Sequence, residues 1–131
     1  MFSADAFGRF GAVANYDANA EWASEARRYF LNIVGKYGVQ VQAVLKKAAA
    51  LEISTICPLH GPVLTGDLTP YLHYYDLWSS YRAEEPEKIL VASASIHGNT
   101  RAAAHTLAEK LRAQGAKVVE MDLTRTDVSY A

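Results

Sequence analysis

Two short runs of this 131-residue chain carry residue types that do chemistry. In Cys57-Pro58-Leu59-His60-Gly61-Pro62 an imidazole follows a strand-like run and precedes Gly61-Pro62, an elbow that fixes its position and leaves its ring free to ligate a metal. In Ser95-Ile96-His97-Gly98-Asn99-Thr100 a strand ending in small residues turns into a helix. Free N–H groups of a first helical turn, the helix dipole and the Ser95 and Thr100 hydroxyls make such a loop an anion site, and Gly98 lets the backbone close in. No Gly-Lys-Ser/Thr follows and Gly-x-Gly-x-x-Gly is absent, so neither a triphosphate loop nor a dinucleotide fingerprint is present. Each run has a structural alternative: a hydrogen-bonded surface histidine for the first, a strand-to-helix turn capped by Asn or Ser for the second. His73 and His105 lie on helix patterns and read as structural.

The elements that must position these runs follow from periodicity. Phe2, Phe7 and Phe10 with Gly8 and Gly11 read as a strand end entering a loop. Trp22, Ala26, Tyr29, Phe30 and Ile33 predict an amphipathic helix from about Glu21 to Val34, broken by Gly35 and Gly38. A second helix is expected from about Val39 to Leu51, with Val41, Val44, Leu45 and Ala48 on its inner face. Ile53 to Cys57 predicts a strand that Pro58 ends, because proline lacks the ladder donor. Leu68, Leu72, Tyr75 and Trp78 predict a third helix to about Tyr81, with Pro70 in its first turn. The acidic stretch Ala83-Glu84-Glu85-Pro86-Glu87 is the expected domain linker. Lys88 to Ala94 reads as a buried-type strand, Asn99 to Gln114 as a helix with Ala103, Leu107 and Leu111 inward and Gly115 as its stop, and Lys117 to Met121 as a strand, which together make one βαβ unit.

Half of the residues are apolar, enough for a substantial core, and the formal charge is −1, which favours neither nucleic acid nor an anionic membrane as a partner. Seven basic and ten acidic residues precede Lys88, against six basic and four acidic from Lys88 onward, a small difference typical of a solvated surface. The lone Cys57 excludes an intrachain disulfide and fits a reducing, cytoplasmic compartment. No signal peptide or membrane-spanning run is expected.

Context sharpens both runs. Ser95, Gly98, Asn99 and Thr100 match the flavodoxin loop that holds the phosphate of FMN, with His97 where threonine is common. Ser3-Ala4-Asp5-Ala6-Phe7-Gly8, Arg28-Tyr29-Phe30-Leu31-Asn32-Ile33, Ile56 to Pro62 and Tyr75-x-x-Trp78 stand in the order seen in flavodiiron proteins, and the chain resembles that family over essentially its whole length. The resemblance implies an α/β fold: residues 1–82 as the C-terminal part of a metallo-β-lactamase-like αββα domain, 83–87 as linker, and 88–131 as the first βαβ unit of a flavodoxin-like doubly wound parallel sheet. It further implies Asp5 as the carboxylate bridging two non-haem irons, His60 as a terminal iron ligand, and Ser95, Ile96, His97, Gly98, Asn99 and Thr100 as the FMN phosphate cradle.

For a parent protein the resemblance implies electron transfer from FMN to the diiron centre, with reduction of dioxygen to water or nitric oxide to nitrous oxide. Rubredoxin or a related reductase would be the donor, and a head-to-tail homodimer the assembly. The family's His-x-Glu-x-Asp-His run and a further histidine, expected before Asp5, have no counterpart here, and only two of about five flavodoxin strands fit after Lys88. The chain is therefore expected to be an internal fragment, inactive alone. Two other classes are a flavin electron-transfer module on a non-catalytic scaffold, and a metallohydrolase; a fused flavin loop has no purpose in hydrolysis.

Overall fold

The computed structural model describes residues 1–12 and 22–126. They form two compact units, Met1–Ala83 and Glu84–Ala131, and the α/β expectation is met in both.

In the first unit, β1 (Phe2–Ala4) runs parallel to β2 (Thr55–Pro58), and β3 (Leu64–Thr65) pairs antiparallel on the other side of β2. Pro58 closes β2 from inside it rather than ending it from outside. The Cys57 and Leu59 amides donate to Met1 and Ala4 carbonyls at 2.8 and 2.9 Å, so the missing N–H of Pro58 falls between two donors. On the β3 side, pairing involves only Thr55 and Ile56, before the proline is reached.

α1 (Trp22–Tyr29) runs into one π-helical turn (Phe30–Val34), a 3₁₀ turn (Gly35–Tyr37) and α2 (Gly38–Ala48). The expected helix start at Glu21 lies outside the described residues. Gly35 and Gly38 keep right-handed backbone angles, so the chain stays helical where a break was expected. The Gly35 amide reaches back to the Phe30 carbonyl, and that five-residue step inserts one extra position. Val34 is consequently buried in place of the expected Ile33, which is 41 % exposed. On α2, Val41, Leu45 and Ala48 turn inward while Val44 faces solvent, contrary to expectation.

α3 (Thr69–Ser79) begins where Asp67 Oδ1 accepts the Thr69 amide at 3.0 Å. Its Tyr75 and Trp78 join Trp22, Tyr29, Phe30 and Phe7 in an aromatic core, with Phe7 stacked on Tyr75 at 4.0 Å between ring centroids. Gln42 of α2 ties this core to α3 by donating to the Asp76 carboxylate and the Ser79 hydroxyl at 3.0 and 2.8 Å. The two helices approach closely at Gly38, where a Cβ would stand 2.6 Å from the Ser79 carbonyl oxygen and 2.9 Å from the Tyr81 hydroxyl. Gly38→Ala should therefore destabilise this unit by about 1–3 kcal/mol, because a backbone oxygen cannot move aside as a side chain can. Urea unfolding followed by tryptophan fluorescence reads that loss; an unchanged midpoint would contradict the packing.

The second unit is β4 (Lys88–Ser93), α4 (Asn99–Ala113) and β5 (Lys117–Asp122), with the strands parallel in register from Lys88↔Lys117 to Ser93↔Asp122. Gly115 ends α4 as expected: it takes φ +88°, its amide donates to the Arg112 carbonyl, and the Ala116 amide donates to that of Leu111, the paired bonds of a Schellman stop. The inner face differs from expectation. Ala108 is buried and Ala104 and Leu111 half-buried, while Ala103 is exposed and Leu107 is 51 % exposed. α4 carries two adjacent apolar strips, and only one can face a two-stranded sheet. β4 is not buried either: Ile89 and Leu90 are 39 % and 43 % exposed, because one helix and one neighbouring strand cover a fraction of its two apolar faces.

Candidate functional site

Asp5 and His60 are 55 positions apart, and parallel pairing makes them neighbours. Ala4 lies opposite Pro58 at the end of the ladder, so both chains leave the sheet at the same edge. The Arg9 amide then donates to the His60 carbonyl at 3.1 Å, locking one loop to the other. Within the first loop, the Ala6 amide donates to the Ser3 carbonyl at 3.0 Å and the Ser3 hydroxyl to the Ala6 carbonyl at 2.8 Å. The Phe7 amide, buried and at a positive φ of 64°, donates to the Tyr75 hydroxyl oxygen. A core tyrosine thus anchors the turn that presents Asp5.

The result is an open cavity of about 690 Å³ lined by Asp5, Arg9, Tyr29, Ile33, Leu59 and His60 among others. Asp5 Oδ1 and His60 Nε2 lie 3.5 Å apart, with both side chains more than half exposed. Tyr29, from the last position of α1, brings its ring to 5.7 Å from the His60 ring. Burial, and then the negative charge and hydrogen bond of Asp5, raise the Tyr29 phenol above the usual tyrosine range. Tyr29 is therefore a neutral hydrogen-bond donor beside the carboxylate at ordinary pH. Sequence reasoning placed Tyr29 only in the helix pattern and the Arg28–Ile33 run; nothing in its spacing marked it as a neighbour of Asp5.

Two donors bound to one ion at about 2.0–2.2 Å are about 3–3.5 Å apart, so the oxygen and nitrogen here fit one edge of a coordination polyhedron. Carboxylate plus imidazole suits iron. Within the cavity, Asp5 and His60 are the donors of that kind.

In the second unit the anion-type loop leaves the C-terminal end of β4. Ser95 is half-buried, Ile96 is 92 % exposed, and His97, Asn99 and Thr100 face solvent. α4 starts at Asn99 after Gly98 at φ +86°, with no side chain capping it, which removes the Asn or Ser cap as the reason for the sequence. Its first helical bond runs from the Ala102 amide to the Gly98 carbonyl, leaving the earlier N–H groups of the turn without helical acceptors. The donor set of hydroxyls, carboxamide and free amides suits a phosphate.

A third group, His105, Glu109 and Glu120, brings ligand atoms within 4.8 Å of one another on the exposed faces of α4 and β5. Arg112 already bridges it, with Nη1 2.7 Å from Glu109 and 2.6 Å from Glu120. The hydrogen bonds of Arg112 and His105 hold the Glu120 carboxyl below its ordinary range. This cluster is a surface ion network.

No protein-family model matches the chain. Diflavin flavoprotein A 1 of Synechocystis sp. is 25% identical over 130 residues, covering 97% of this chain and 23% of its own length. The flavodiiron protein of Giardia intestinalis superposes with a TM-score of 0.82 at 28% identity, over 98% of this chain and 32% of that one. The chain is similar to flavodiiron proteins over nearly its whole length. The rubredoxin oxygen:oxidoreductase of Desulfovibrio gigas shares the fold, with a TM-score of 0.81 at 23% identity over 98% of this chain and 34% of that one. The chain spans about a third or less of the length of such relatives. Among the described residues, no helix is long and apolar enough to cross a membrane.

Proposed function

We propose that this chain is the junction of a flavodiiron oxidoreductase. Residues 1–82 form the end of a metallo-β-lactamase-like diiron domain, residues 83–87 its linker, and residues 88–131 the start of a flavodoxin-like FMN domain. Asp5, as a carboxylate ligand, and His60, as an imidazole ligand, would hold the non-haem diiron site, and the loop from Ser95 to Thr100 would hold the FMN phosphate. The observation that carries the reading is the Asp5–His60 pair, set 3.5 Å apart by two parallel strands on a chain that also bears the uncapped loop.

When bound, flavin and iron would supply the electrons and the site for reducing dioxygen to water or nitric oxide to nitrous oxide. The chain's own residues do the rest. Asp5 contributes two carboxylate oxygens, His60 an imidazole nitrogen on a rigid elbow, and Tyr29 a phenolic proton held beside Asp5. Arg9 ties the two loops together through its backbone. The rubredoxin oxygen:oxidoreductase of Desulfovibrio gigas supports a rubredoxin-type electron donor, the family resemblance supports a head-to-tail pair, and the lone Cys57 fits a reducing, cytoplasmic compartment.

A chimera tests this, with residues 1–131 replacing the matching third of the Desulfovibrio gigas protein. It should carry flavin and iron and consume oxygen, and His60→Ala should remove most of its iron and lower the rate by about 10²-fold or more. Undiminished oxygen consumption by a flavin-loaded His60→Ala chimera would refute the assignment. The 131-residue chain alone, offering Asp5 and His60 without the family's other ligands, is expected to consume no oxygen.

A further inference from the structure

The first turn of α4 carries no acidic residue, and its third position is Arg101. A cation there opposes the helix dipole, whose positive end favours Asp or Glu, so the placement weakens the isolated helix. Its geometry indicates what offsets that cost. Arg101 Nη2 lies 3.9 Å from the point a Cβ on Gly98 would occupy, which sets one edge of the guanidinium against the anion-type loop. The other edge is steadied from β5: Nη1 is 3.7 Å from Asp122 Oδ2.

Asp122 holds Arg101 only loosely. Its carboxylate accepts the Thr124 amide and hydroxyl at 3.0 and 2.6 Å, and Arg125 Nε stands 3.8 Å away. These Thr124 bonds, more than the two arginines, keep the Asp122 carboxyl below its usual range. Ser93 and Asp122 are register partners at the C-terminal ends of β4 and β5, so Arg101, Gly98 and Asp122 share the sheet edge where ligands of parallel α/β sheets sit.

We propose that Arg101 is a phosphate ligand of this site: its guanidinium fork binds the dianionic phosphomonoester of the flavin together with the amides of the loop. The proposal rests on reading the Ser95–Thr100 loop as the FMN phosphate site. With His97 in place of the usual threonine hydroxyl, the planar fork supplies donors and a positive charge that the loop otherwise lacks.

Amide NMR titrations of the 131-residue chain with inorganic phosphate, FMN and riboflavin test both levels. Phosphate and FMN should shift the amides of residues 95–101, with FMN binding about tenfold or more tightly than riboflavin. Arg101→Ala should weaken FMN and phosphate by about tenfold and leave riboflavin unchanged, while Arg101→Lys, which keeps the charge and loses the fork, falls between. Thermal stability of Arg101→Ala should hold or rise, since a cation leaves the positive end of the helix. FMN affinity unchanged by both substitutions would overturn the role of Arg101 and leave the phosphate loop standing. Equal binding of FMN and riboflavin by the unaltered chain, or no response of the loop to phosphate, would overturn the loop reading and the proposal with it.

Discussion

Gly61→Ala should lower the stability of the Met1–Ala83 unit by about 2–4 kcal/mol, a fall in melting temperature on the order of 10–20 °C for a unit of this size. Two effects add. Gly61 sits at φ +102°, a region closed to a residue with a Cβ, and a Cβ there would stand 2.8 Å from Arg9 Cγ and 3.3 Å from the Arg9 amide nitrogen. That amide bonds the His60 carbonyl, so the strain falls on the contact that sets the two loops of the metal-type site together. Gly66→Ala is the internal control: Gly66 also has a positive φ, +77°, but nothing lies within 4 Å of its Cβ position. It should cost about 1 kcal/mol. Calorimetry of the two variants separates backbone strain from steric conflict; equal losses would show that the Arg9 contact contributes nothing.

Tyr75→Phe should cost about 1–3 kcal/mol, because it leaves the buried Phe7 amide without its acceptor. It should also change how stability depends on pH. Burial raises the Tyr75 phenol far above its ordinary value, with smaller contributions from Tyr29 and Asp5, against the lowering effect of the Phe7 amide. An unfolded tyrosine ionises near pH 10, as the native one does not, so the stabilising effect of keeping Tyr75 protonated is complete below about pH 10. Above it, each further pH unit removes up to about 1.4 kcal/mol until the native phenol titrates as well. Tyr29 adds a shift of the same sign. Urea titrations at pH 8, 10 and 11 should show the unaltered chain weakening over the upper interval and Tyr75→Phe weakening less. Parallel pH profiles would contradict the buried neutral phenol.

Much of the fold is legible because its signals are local. The β-branched run before Pro58, the Thr69-Pro70 helix start and the Gly115 stop each act through their own backbone, and each is found near its expected place. Which face of a helix turns inward is less local. Periodicity selected Ile33, but the extra residue of the π turn moved burial to Val34; it selected Ala103 and Leu107, but a competing strip one residue on faces the strands. The apolar run of β4 reads as buried because composition reports what a strand can bury, whereas exposure reports what covers it.

The candidate site was legible only in part for the same reason. His60 stands out locally as an imidazole after a strand, whereas Asp5 comes only from a run that resembles a family, and no spacing rule links two residues brought together by parallel strands. Tyr29 was visible as a core aromatic and became a site residue only through its place beside Asp5 and His60. Arg101 carries no local sequence signal for such a role; only the fold sets its guanidinium edge against Gly98.

The central claim is that Asp5 and His60 are metal donors, and paramagnetic NMR of the 131-residue chain tests it most directly. Sub-stoichiometric Mn²⁺ should broaden amides around Asp5, Tyr29, His60 and Gly61 first. Asp5→Asn or His60→Ala should abolish that broadening while the spectrum of the remaining fold persists. Broadening that centres instead on His105, Glu109 and Glu120, or that is indifferent to both substitutions, would contradict the account.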